Sequence, residues 1–154
     1  MKYWIFTVCT LAILFSCTEK PVTEDNHLNN YSIVLGHICG WCAGADSLHI
    51  TGTQLTYTDI GYCSDSISIQ HKPYSFNELN SLLDLIDLED FRKVSINTCN
   101  VCVDGCDTWV SVCNDTLSHT IRFGFRDSVV IEPVKDFVDA LHDIQAGFIK
   151  IDSK

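Results

Sequence analysis

Positive charge is scarce in this 154-residue chain: 10 lysines and arginines stand against 20 aspartates and glutamates, for a formal charge of −10. A field of that sign repels phosphate backbones and anionic headgroups, which excludes nucleic acid as a partner. Catalytic signatures are missing as well. There is no nucleophile elbow around a serine, no glycine-rich phosphate loop and no His-x-x-x-His pair on a helix. Internal repeats and low-complexity tracts are absent. Charged residues make up only 19% of the chain and hydrophobic ones 46%, a balance that excludes extensive disorder and suits one globular domain with a core of its own.

A hydrophobic run long enough to cross a bilayer is also lacking. The apolar stretch from Tyr3 to Phe15 follows a single lysine, Lys2, and falls short of the roughly 20 residues a spanning helix needs. It has the length of a signal-peptide core, so residues 1–16 are read as a leader that is removed. The tetrapeptide Leu14, Phe15, Ser16, Cys17 resembles the lipobox of bacterial lipoproteins. That resemblance implies cleavage before Cys17, acylation of Cys17 with chains such as palmitate, and a membrane anchor. Several acyl chains at about 0.8 kcal/mol per buried methylene hold a small domain to a leaflet. Residues 17–30, polar and rich in turn formers, read as a tether, and the folded unit is expected over 31–151. The expected address is the cell envelope, the outer membrane preferred over the inner, with the lipid making the membrane contact and a protein or small molecule of unassigned class as the other partner.

What the chain has in excess is cysteine. Of nine, Cys9 leaves with the leader and Cys17 takes lipid, which leaves seven: Cys39, Cys42, Cys63, Cys99, Cys102, Cys106 and Cys113. Outside the cytoplasm thiols pair, so all seven are disulfide candidates, and the odd count leaves one over. Spacing does not fix the connectivity, since seven choices of the odd residue times 15 pairings give about 105 arrangements.

Three chemistries compete for these sulfurs. In "HICGWCAGAD" the pair Cys39 and Cys42 has the spacing of a redox-active dithiol, but the alternating residues that follow form strands, with no helix to stabilise a thiolate. A zinc site would join Cys39 and Cys42 to Cys99 and Cys102 of "CNVCVDGC", with His37, His49 or His119 as nitrogen donors. The favoured reading is structural crosslinking with no cofactor, zinc being the alternative. A bridge closing about 60 residues is worth roughly 4 kcal/mol in the chain-entropy model.

Periodicity outlines the domain. Ile33, Leu35 and His37 share one face of a first strand. Leu48 with Ile50 and Leu55 with Tyr57 flank "TGT" as a hairpin, and Ile67 with Ile69 mark a fourth strand. Ser75 and Glu78 form a capping box, Tyr74 and Leu79 a staple, so a helix is expected over 76–88. A second hairpin turns at Asn114 and Asp115, and a final helix begins near Pro133 with Phe137, Leu141 and Phe148 facing the core. The expected fold is α+β: one antiparallel sheet of five to six strands with two helices on one face.

This layout resembles an uncharacterised family of small exported bacterial domains that open with a strand and a C-x-G-x-C-P type loop, continue through a hairpin and carry a helix ending near a phenylalanine. "HICGWCAG", "LHITGTQLTYTD" and Phe91 stand for those three features, over most of residues 31–148. The loop is one residue shorter here, and Ala43 replaces the proline. The resemblance implies a fold and no activity. The triplets beginning at Asp46, Asp65, Asp115 and Asp127 look like acceptors for O-linked sugars, or polar strand starts. The function expected is a lipid-anchored, non-catalytic binding or envelope-structural role, with a zinc module or a thiol-disulfide oxidoreductase as alternatives.

Overall fold

Backbone choices at a few turns set the sheet. Gly52, at φ 52°, closes the hairpin between β2 (Ala45–Thr51) and β3 (Gln54–Ile60), a conformation that suits a residue without a Cβ. The Asn114 side chain accepts the backbone N–H groups of Thr116 at 2.9 Å and Leu117 at 2.8 Å, and so folds the turn between β5 (Cys106–Cys113) and β6 (Ser118–Phe123). With β1 (Ser32–Cys39) and β4 (Ile67–Pro73), these strands make one six-stranded sheet in the order β4-β3-β2-β1-β5-β6. Every neighbouring pair is antiparallel. The computed structural model describes residues 30–149 apart from 42, 64 and 65. The leader, Cys17, most of the tether and Ile151 lie outside the described residues.

The capping box forms as the sequence requires. Ser75 Oγ accepts Glu78 N–H at 3.2 Å, and Glu78 Oε2 accepts Ser75 N–H at 2.7 Å, at the start of α1 (Phe76–Leu83). The expected single helix over 76–88 is in fact two. Asp87 caps a separate α2 (Leu88–Lys93), its Oδ1 accepting Glu89 N–H at 2.8 Å and Asp90 N–H at 3.1 Å. Pro133 falls in a short 3-10 turn, Glu132–Val134, that leads into α3 (Lys135–Ile149). The described residues are therefore α+β, with three α-helices among them where two were expected.

Alternate strand residues supply the core. Ile33, Leu35, Leu48, Ile50, Val110, Val112 and Ile121 are buried in one cluster with Leu79, Leu82, Phe91, Phe137, Leu141 and Phe148 of the helices. Tyr57 stacks on Phe148 at 5.2 Å between ring centroids, and Lys72 Nζ lies 3.8 Å from the same ring while donating to Gly147 O at 3.0 Å. That ammonium sits where the carbonyls of the last turn of α3 concentrate negative charge. Among the described residues no helix is long and apolar enough to cross a membrane.

Candidate functional site: a disulfide and a histidine at the mouth of a cavity

β1 and β5 lie side by side in the interior of the sheet, and their register sets Cys39 directly opposite Cys106. The two sulfurs are bonded, across a Cα separation of 4.1 Å and 67 residues of sequence. Period-two geometry places His37 on the same side of β1 as Cys39. Its Nε2 lies 3.2 Å from Cys39 Sγ, and its Nδ1 lies 3.3 Å from the hydroxyl of Thr108, the residue opposite it on β5. One ligand atom each from His37, Cys39 and Cys106 falls within 4.8 Å of the others.

This cluster opens into a cavity of about 860 Å³, where Phe123, Phe125, Val138, Arg126 and His142 join His37 and Cys106. Apolar rings with a few convergent polar groups are the usual lining of a binding pocket. Phe125, which lines this cavity, is fully exposed, so an aromatic ring stands free at its edge. His142 of α3 lines the same cavity and is exposed, and Asp139, which also lines it, is held by Lys135 in an i,i+4 ion pair.

A second disulfide, Cys99–Cys102, joins residues three apart within the loop before β5. That loop is folded around Asp107, whose carboxylate is wholly buried. Its Oδ1 accepts Asn100 N–H and Nδ2, both at 2.9 Å, and its Oδ2 accepts Val101 N–H at 3.1 Å and Arg122 Nη2 at 2.8 Å. Burial pushes the carboxyl pKa up, but the donors from Val101, Asn100 and Arg122 together outweigh it and hold the group at about 2. The carboxylate acts as a template on which the cysteine loop is wound, and the sequence reading missed it. The available signal was one acidic residue opening the alternating stretch "DTWVSVC".

The cysteine groupings suggested by spacing are rearranged. Cys39 pairs with Cys106 instead of Cys42, and Cys42 lies outside the described residues. The zinc set Cys39, Cys42, Cys99 and Cys102 is not gathered as four thiolates, because Cys99 and Cys102 are bonded to each other and Cys39 is bonded elsewhere. The group that the strands do bring together is His37, Cys39 and Cys106. Of the other nitrogen donors considered, His49 contacts Ser32 Oγ at 2.9 Å and His119 contacts Val94 O at 2.9 Å, so both are satisfied inside the fold. Cys63 is exposed with its Sγ 4.0 Å from Trp41 O, and Cys113 is exposed at the end of β5 with a free thiol. The chain matches no protein-family model and no curated protein.

The cluster has two chemical states. Oxidised, it staples β1 to β5 at the cavity mouth, a link worth about 4 kcal/mol in the chain-entropy model. Reduced, it offers two thiols and an imidazole, the soft and borderline donors that zinc takes. The two disulfides fit a non-reducing, exported environment.

Proposed function

We propose that this protein is a lipid-anchored binding domain of the cell envelope, braced by disulfides and without catalytic activity. Cys17 carries the acyl groups, residues 18–30 space the domain from the bilayer, and the outer membrane is the preferred location. The cavity beside His37 is the binding site, taking a ligand with an apolar body and a polar end suited to Arg126 and the histidines. The observation that carries this reading is the Cys39–Cys106 bond at the mouth of that cavity, which locks its wall and belongs to an oxidising compartment.

The test is the intact protein recovered from its native membrane, denatured without reduction and alkylated. At most three of the seven mature cysteines should take label, and the N-terminal peptide should begin at an acylated Cys17. Four or more labelled cysteines after metal removal, or a chain still beginning at Met1, would overturn the proposal.

A second reading is supported by the close approach of His37, Cys39 and Cys106. In the reduced protein these residues would hold a zinc-type ion, a ligand set different from the one that sequence spacing suggested. Stoichiometric zinc in protein purified without added metal, lost in a His37→Ala variant, would favour this reading over the first.

A further inference from the structure

The opposite side of the sheet carries a separate site, beyond the function proposed above. Register places Arg122, Trp109, Gly36, Ser47, Thr58 and Ile69 in one row across the strands. Thr120, Ser111, Val34, His49, Thr56 and His71 occupy the next row. Strand alternation sets both rows on the side away from buried Ile33, Leu35, Val110 and Val112. Neither row carries a lysine or a carboxylate, and the one guanidinium, that of Arg122, is committed to Asp107. On a chain of net charge −10 this makes a surface free of carboxylates, dressed with hydroxyls, one indole, His49, His71 and the aliphatic Val34 and Ile69.

Trp109 is held in a fixed position. A Cβ added to Gly36 would lie 2.0 Å from Trp109 Cζ2 and 2.1 Å from Cε2, so the indole rests directly on the β1 backbone, where only glycine leaves room. Its remaining surface borders a cavity of about 500 Å³ shared with Ile38, Asn97, Thr120 and Arg122. Thr120 spends its hydroxyl hydrogen on Ser111 Oγ at 2.9 Å, which leaves its oxygen lone pairs as acceptors.

The chemistry of this cavity narrows its ligand. A cation over the indole would face the Arg122 guanidinium at close range. An anion would find that guanidinium already neutralised, within an acidic protein. A wholly apolar ligand would strip water from Asn97 and Thr120 without replacing it, at a cost in free energy. A pyranose meets all three conditions: its C–H faces lie against the electron-rich indole face, and its hydroxyls give and accept hydrogen bonds around the rim. We propose that this face binds a neutral saccharide chain, with one ring stacked on Trp109 and its neighbours running along the Ser47 and Thr58 row.

The test uses the full chain in detergent micelles and isothermal titration with β-linked tetrasaccharides of glucose and of N-acetylglucosamine. Tetragalacturonate, tetramethylammonium and indole serve as comparison ligands. At least one neutral tetrasaccharide should saturate and should bind more tightly than all three comparisons. Trp109→Ala should weaken it by about tenfold or more, equivalent to about 1.4 kcal/mol, Trp109→Phe by less, and Trp41→Phe not at all. In the unmutated protein the indole N–H resonance of Trp109 should shift on titration while that of Trp41 stays in place, a readout that does not depend on any variant folding. Absence of saturable binding by the neutral sugars, tighter binding of a comparison ligand, or a Trp109 resonance that does not move would overturn the proposal.

Discussion

Replacing Asp107 by asparagine probes the group that organises the cysteine loop. The carboxylate collects five N–H donors, two from Asn100, one from Val101 and two from Arg122, and its own oxygens are shut off from water. Asparagine keeps the shape but turns one oxygen into an amide that faces the N–H groups of Val101 and Arg122, and it leaves the guanidinium without a counter-charge. Breaking a buried pair from one side costs about 3–5 kcal/mol, so Asp107→Asn should lose about that much stability at pH 7.

The pH dependence gives an independent magnitude. The folded pKa is about 2 against an ordinary 3.8, and at 1.36 kcal/mol per pH unit the gap is roughly 2.4 kcal/mol. Because the folded pKa is the lower of the two, that stability is present above about pH 5 and is lost as pH falls through 3.8 and then 2. Urea unfolding followed by circular dichroism at pH 7, 5, 3.5 and 2 should therefore show the gap between the two proteins narrowing by about 2 kcal/mol by pH 2, where the folded carboxyl is half protonated. A variant within 1 kcal/mol of the parent at pH 7, or a gap independent of pH, would refute the reasoning.

Other perturbations follow from the same contacts. Cys39→Ser combined with Cys106→Ser should lower stability by about 4 kcal/mol in urea, since the closed loop spans 67 residues; a loss below 1 kcal/mol would mean that the staple does little. Ser75→Ala removes the capping hydroxyl of α1 and should cost about 1 kcal/mol, measurable as a shifted urea midpoint at unchanged slope. Phe137→Ala, at a fully buried position on α3, should cost about 3–5 kcal/mol and lower the midpoint of thermal unfolding accordingly. Gly36→Ala should push the Trp109 indole off β1 and shift its fluorescence, with Trp41→Phe as the background that isolates the signal.

Much of the fold was legible because its causes are local. The Ser75 and Glu78 box, the Asn114 turn and the Gly52 hairpin each depend on residues within four positions of one another, and each forms where the sequence places it. The break between α1 and α2 was hidden by Leu82, Leu83 and Ile86, which prolong an apolar stripe through it. Asp87, followed by Glu89 and Asp90 and then by Arg92 and Lys93, was the overlooked sign of a second helix with its own cap and charge order. Cysteine pairing was not legible, because Cys39 meets Cys106 through a strand pairing between distant parts of the chain. Spacing within "CGWC" carries no information about that neighbour. The candidate site stood half visible for the same reason. His37 was recognised as a possible nitrogen donor and placed on one face of β1 with Ile33 and Leu35, whereas its neighbours Thr108 and Arg126 and the cavity come together only once β5, β6 and α3 are assembled.

The bond between β1 and β5 also decides what a protease can achieve. Any single cut between residues 40 and 105 falls inside the loop closed by Cys39 and Cys106, so the two fragments stay one covalent molecule. A chain nicked in its middle would keep both halves of the sheet joined and would come apart only after a reductant had been added.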